Sequence, residues 1–203
     1  MIELYMWGTA NGLRASVALA ESGLEHRVRK VDLTKGEQKK PEFLALNPAG
    51  QIPVMVDIGA AGGARLVLAQ SGAIVLYVAE KSGKFLPKDG ARRAAAYQWF
   101  MLGLSDVAAA SGTVFLLENA APEKSAKNVE FFKERLVKFF ALVDQRLVGR
   151  EFVADELSIA DLTLYPNYSL RKPLLDASGS FANLHRWGAM MAARPGVMKG
   201  MNP

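Results

Sequence analysis

The 203-residue chain contains no cysteine. That absence excludes disulfide bonds, thiolate zinc sites and any mechanism using a cysteine of the protein's own, and it fits a reducing compartment. Histidine is scarce. His26 and His185 stand too far apart in sequence to suggest a shared site, so each is expected at the surface or at a cap, and no metal site is expected. The opening Met1-Ile2-Glu3-Leu4 lacks the basic start and apolar run of a signal peptide. No apolar segment reads as long enough to cross a bilayer. A cytoplasmic location with no membrane partner is the expectation. Internal repeats and low-complexity tails are also missing.

Half of the residues are hydrophobic, ample for a packed core in one large domain or two small ones. The net charge of +5 is uneven. Residues 1–80 hold eight basic and eight acidic side chains, and residues 81–203 hold seventeen and twelve. The basic residues never run beyond pairs and have no aromatic residues interleaved with them. This pattern reads as a solvated helical surface rather than a nucleic-acid footprint, so no nucleic-acid partner is expected.

The most informative stretch is Asn47-Pro48-Ala49-Gly50-Gln51-Ile52-Pro53, leading into Val54-Met55-Val56-Asp57. Proline has no N–H for a strand ladder, so Pro53 opens a strand rather than sitting within one. It pushes Ile52 to an extended conformation. The Ile52–Pro53 bond is expected to be cis, which would turn the Ile52 backbone outward toward another extended peptide. Further on, Gln70-Ser71-Gly72-Ala73-Ile74 reads as a strand giving way to a helix, with Ser71 suited to an N-cap. Free N–H groups at a helix start attract carboxylates. The two features together predict a site for a small peptide bearing a free carboxylate.

Ile2 to Met6 alternates like a strand, Gly8 to Gly12 is a turn cluster, residues 13–22 are helical, and His26 to Val31 is a second strand. Two strands joined by such a crossover form a right-handed βαβ unit. Lys35 to Lys40 reads as a polar loop and Pro41 to Leu46 as a short helix. Val54 to Asp57 and Arg65 to Ala69 read as a hairpin, and Ser71 to Lys81 as a helix. This order predicts an α/β thioredoxin-like N-terminal domain over residues 1–82. A Gly/Pro linker spans 83–90. Residues 91–203 are expected to form an all-α C-terminal domain, its helices running from Ala91 to about Asn119, from Lys124 to Val148, from Ser158 onward and from Phe181 to Ala193. Ser158-Ile159-Ala160-Asp161 reads as a capping box that serves folding, not chemistry.

These elements, in this order and spacing, resemble the cytosolic glutathione transferases over the whole chain. The opening Leu4-Tyr5-Met6-Trp7-Gly8-Thr9-Ala10-Asn11-Gly12 and the stretch Lys35 to Phe43 are similar to the bacterial Nu class, known for glutathione-dependent disulfide reduction. The resemblance implies a homodimer that binds glutathione as co-substrate and turns its thiol on a small disulfide or electrophile. It implies that Thr9 and Asn11 act on the glutathione thiol. It also implies that Gln70 and Ser71 hold the γ-glutamyl end, that Ile52 and Pro53 present the backbone, and that Gln38 and Gln51 lie near the glycyl end. The helical domain would supply most of the dimer interface and a wall for the second substrate. Three departures stand out. Ala10 replaces the branch's usual proline, Gln70 its usual glutamate, and Phe131 an arginine used by some relatives. The last two keep open an alternative, a non-catalytic glutathione-binding regulator on the same fold. By spacing alone, Thr9 and Asn11 would be turn formers, since Asn-Gly is a turn dipeptide. Tyr5 is the rival for thiol activation, although it falls within a strand.

Overall fold

The computed structural model describes the backbone of residues 1–203 and every side chain except that of Ala61. The chain divides into two compact units, Met1–Lys84 with Ala193–Pro203, and Phe85–Ala192.

The first unit is built on a sheet of four strands, β1 (Ile2–Met6), β2 (His26–Lys30), β3 (Val54–Asp57) and β4 (Leu66–Ala69), in the order β2-β1-β3-β4. β1 and β2 are parallel, joined by helix α1 (Ala10–Ser22), and the other pairs are antiparallel. In β1, Ile2, Leu4 and Met6 are buried while Glu3 and Tyr5 are half-buried, the two-residue alternation of a pleated strand. The central β3 is buried throughout. Where a polar loop was expected before the short helix α2 (Pro41–Leu44), two 3-10 turns form, Leu33–Lys35 and Glu37–Lys39. Helix α3 (Ser71–Ser82) follows β4. It is clamped to β3 by Asp57, which accepts from Tyr77 Oη at 2.8 Å and Lys81 Nζ at 2.6 Å.

The registers decide where the site lies. Tyr5 pairs with Val54, and Val54 pairs with Ala69. The end of β1, the start of β3 and the end of β4 therefore share one end of the sheet. Three segments meet there, namely Trp7–Thr9, Ile52–Pro53 and Gln70–Ser71.

The final residues correct the expected boundary, since Ala193–Pro203 pack with the first unit instead of the helical one. They form helix α9 (Pro195–Met201), whose Gly196 and Gly200 lie against the backbone of α1; a Cβ at Gly200 would sit 2.5 Å from Val17 Cα. Arg194 Nη2 donates to Glu21 Oε2 at 2.8 Å, and the Val197 N–H donates to Glu21 Oε1 at 3.0 Å. Arg194-Pro195-Gly196 looks like a helix stop, but proline at a first turn starts a helix, and the glycines permit the close approach.

The second unit is helical. It contains α4 (Gly90–Met101), α5 (Ala108–Asn119), α6 (Ala126–Arg146), α7 (Ile159–Ser178) and α8 (Ala182–Ala192). A π-helical turn at Leu102–Val107 joins α4 to α5, and Gly103 within it packs against Thr163 and Leu164 of α7. Leu136, Phe140 and Val143 bury the inner stripe of α6. The capping box forms as expected, with Ser158 as N-cap of α7. Asp161 is fully buried and accepts from four donors: Val153 N–H and Trp187 Nε1 at Oδ1, and Ser158 N–H and Oγ at Oδ2. Burial outweighs these donors and pushes its carboxyl up to about 6.

One expectation is corrected by the helical unit. The run Gly90–Asn119 contains an 18-residue window of mean hydropathy 1.7, long and apolar enough to span a membrane by length and composition, a third of it buried inside the fold. Alanine, glycine and serine between its large apolar residues hide this run from a search for uninterrupted hydrophobes. Tyr97, Met101, Phe115 and Leu116 are exposed on it.

Candidate active site

Thr9 is the N-cap of α1, in extended conformation, and its Oγ1 accepts from the Gly12 N–H at 3.3 Å. Asn11 and Gly12 thus lie inside the first helical turn and do not form the turn that their dipeptide suggests. Gly12 is required by close approach, since a Cβ there would run into the Trp7 carbonyl oxygen. Asn11 is exposed at the mouth of the turn.

Ser71 is buried and sits at the first position of α3 rather than at its N-cap; the cap is Gln70. Gln70 is exposed and held at φ 72°, a left-handed conformation uncommon for a residue with a Cβ. Its side chain makes no capping bond.

Ile52–Pro53 is cis. The Ile52 side chain packs with Tyr5, Leu46, Val67 and Ala69 on the buried cluster of Val31, Phe43 and Val54. The ladder of β3 begins only at Val54. Asn47 Nδ2 donates to the Gln51 carbonyl at 2.7 Å and fixes the preceding loop. Gln51 is exposed. Gln38 lies beside this loop, its carbonyl 3.3 Å from where a Gly50 Cβ would be, and its Oε1 is buried without a partner among the described residues.

A residue that sequence reasoning passed over joins these pieces. Arg14, one turn into α1, is only 2% exposed. Its Nη1 donates to Asn11 Oδ1 at 2.7 Å and to Ser71 Oγ at 2.9 Å, across 57 positions of chain. Nε and Nη2 have no partner among the described residues, and no carboxylate pairs with it there. Burial pulls its guanidinium down to about 10, still cationic at neutral pH. The available signal was a lone charge in the otherwise small and apolar run Leu13-Arg14-Ala15-Ser16-Val17-Ala18-Leu19.

The hydrogen bonds fix what the site can do. Thr9 Oγ1, Asn11 Oδ1 and Ser71 Oγ each already accept from an internal donor. Among the described residues each group keeps its own O–H or N–H free to donate. Two helix N-termini, a buried cation and three donors at one end of the sheet are the kind of groups that attract an anion. Tyr5 does not join it, because its hydroxyl donates to Glu3 Oε2 at 3.2 Å, and burial, then Glu3, raise its phenol above the usual range.

The glutathione S-transferase N-terminal domain model matches residues 1–80, and the C-terminal domain model matches residues 105–199. The disulfide-bond oxidoreductase YfcG of Escherichia coli is 37% identical over 168 residues, 82% of this chain and 78% of that protein. YghU of the same organism, also named a disulfide-bond oxidoreductase, is 30% identical over 98% of this chain and 73% of its own. A Pseudomonas putida glutathione transferase, crystallised with one glutathione disulfide per subunit, superposes with a TM-score of 0.89 at 31% identity, covering 98% of this chain and 90% of that one. A Burkholderia graminis transferase with two glutathione molecules per subunit gives 0.90 at 30% identity, covering 99% and 87%. With both halves matched by the family's domain models, and with 37% identity to a relative across most of its length, the chain belongs to the glutathione S-transferase family.

Proposed function

We propose that this protein is a glutathione-dependent enzyme of the Nu-class type, which activates the glutathione thiol for disulfide reduction and for conjugation to electrophiles. The observation that carries this reading is the set of three groups, on Thr9, Asn11 and Ser71, each of which accepts a hydrogen bond from within while its donor side has no partner among the described residues. Such donors favour an anion over its protonated form. The relatives named for disulfide oxidoreduction and the neighbours crystallised with glutathione support reading that anion as glutathione.

In this reading Thr9 Oγ1–H and the Asn11 amide N–H donate to the sulfur and stabilise the thiolate. Ser71 and Gln70 receive the γ-glutamyl carboxylate and ammonium; the neutral Gln70 amide bonds both without an ion pair. Ile52 pairs its backbone with the peptide ahead of Pro53, and Gln38 and Gln51 face the glycyl end. The bound thiolate attacks one sulfur of a substrate disulfide. A mixed disulfide with glutathione forms, the old S–S bond breaks, and the departing thiolate takes a proton. A second glutathione releases the other half as a thiol and leaves as glutathione disulfide. With an electrophile, the same thiolate displaces the leaving group. The exposed Tyr97, Met101, Phe115 and Leu116 support a homodimer built through α4 and α5.

The test is steady-state kinetics of Thr9→Ala, Asn11→Ala and Ser71→Ala with glutathione and either a hydroxyethyl disulfide or a chloro-dinitro aromatic. Thr9→Ala and Asn11→Ala lower kcat more than they raise KM for glutathione, and Ser71→Ala does the reverse. Glutathione binding without turnover by the unmutated protein would instead identify a non-catalytic binder.

A further inference from the structure

Arg14 is a buried cation whose only bonds among the described residues go to Asn11 and Ser71, both from Nη1 and both in the proposed glutathione site. An arginine this buried ordinarily meets a carboxylate, because an unpaired charge in a low-dielectric interior is strongly disfavoured. Among the described residues none pairs with it, and Nε and Nη2 are unsatisfied as well. The side chain is kept where folding alone gains little from it.

Its geometry gives it a task. Guanidinium nitrogens only donate. By donating to Asn11 Oδ1, Nη1 fixes which end of that amide points inward, so that the amide N–H₂ must face outward. By donating to Ser71 Oγ, the same nitrogen occupies a lone pair and leaves the serine hydroxyl hydrogen to point at a ligand. One atom thereby sets the donor direction at both places. The charge behind those two dipoles is not neutralised by a neighbouring carboxylate, and the interior screens it far less than water would.

We propose that Arg14 is a positioning residue for glutathione activation: it locks Asn11 and Ser71 as donors and supplies the buried positive charge that favours thiolate beside Asn11 and carboxylate beside Ser71. The inference rests on the assignment of Asn11 and Ser71 given above. Arg14 does not touch glutathione; it acts through those two side chains and through its charge.

The experiment compares Arg14→Met, Arg14→Lys and Asn11→Ala with the unmutated protein. It reads the apparent pKa of bound glutathione from its thiolate absorbance as a function of pH, together with KM for glutathione. Arg14→Met, which keeps bulk and removes charge, is expected to raise the bound-thiol pKa by about one, a tenfold change in the acid dissociation constant, and to raise KM severalfold. Arg14→Lys keeps the charge but carries it on a shorter reach and a different head, which draws the donor away from Asn11 Oδ1 and Ser71 Oγ; it is expected to hold the pKa near that of the unmutated protein while raising KM. A merely structural arginine would change melting temperature without moving the thiol pKa. If Arg14→Met folds and shows unmutated pKa and KM, the proposal is overturned. If Arg14→Met does not fold, Arg14→Lys decides: unmutated KM overturns the proposal, and a raised KM at retained pKa supports it. Asn11→Ala separates the two claims. If Asn11→Ala shifts the pKa and Arg14→Met does not, only the role of Arg14 fails. If Asn11→Ala shifts nothing, the assignment of Asn11 fails first and the proposal falls with it.

Discussion

Two buried charges, one in each unit, show opposite ways of using an ionisable group. Asp161 in the helical unit is fully buried and has both oxygens filled by two donors each. Arg14 in the sheet unit is nearly as buried, yet one nitrogen makes all its bonds and two others make none. A closed network ties elements together and leaves nothing for a ligand. An open one holds groups that keep donor hydrogens without a partner among the described residues. On the proposed assignment, the number of partners of a buried charge separates scaffold from site where burial does not.

The comparison breaks most readily at the closed network. Asp161→Ala strands four buried donors, and at the 1–3 kcal/mol typical of an unsatisfied buried group, with partial relaxation, about 3–5 kcal/mol of stability is lost. For a chain of this size that lowers the melting temperature by roughly 10 °C, measurable by calorimetry. Arg14→Met is the counterpart. Replacing an unpaired buried cation by an apolar side chain of similar bulk is expected to be neutral or stabilising, although it damages activity. Equal destabilisation by the two substitutions would erase the distinction.

The same pair differs in pH response. The folded state holds a proton on Asp161 more tightly than the unfolded chain does, because burial raises its carboxyl from 3.8 to about 6. The stability from that group is present at low pH and is lost as pH rises from about 4 through about 6. A tenfold difference in proton affinity between folded and unfolded chains corresponds to about 1.4 kcal/mol. Against Asp161→Asn, which cannot titrate, the stability advantage of the unmutated protein should shrink over that window in urea unfolding series. A constant gap would show that Asp161 stays ionised throughout. Arg14 remains charged across the same range and contributes no such step.

A smaller effect concerns the scaffold beneath the site. Gly200 approaches the backbone of α1, and Gly200→Ala would place a methyl 2.5 Å from Val17 Cα. Overpacking of this kind costs about 1–3 kcal/mol. Denaturant unfolding should show the loss, and protease sensitivity should appear first in Ala193–Pro203. An unchanged midpoint would mean that α9 does not brace α1.

Much of this was legible in the chain. The strand and helix order of the first unit follows from period-two alternation and from Pro53 opening β3, and the Ser158–Asp161 box follows from its spacing. What escaped did so for physical reasons. The bond from Arg14 to Ser71 spans 57 positions, so no local pattern announces it. Ser71 takes the first helical position instead of the cap because Gln70 absorbs the left-handed turn. The Asn11-Gly12 pair looks like a turn until Thr9 caps the helix one residue before Ala10. The return of α9 to the first unit depends on glycines whose value lies in what they approach, and a sequence does not display that.

The central claim is that Thr9, Asn11 and Ser71 form an anion site whose donors are set from within. Its most direct test is the ultraviolet titration of glutathione bound to the unmutated protein. A free thiol has a pKa of about 8.5. A bound thiol that titrates at least one pH unit lower is the predicted result, while a bound thiol that titrates where the free one does would contradict the account.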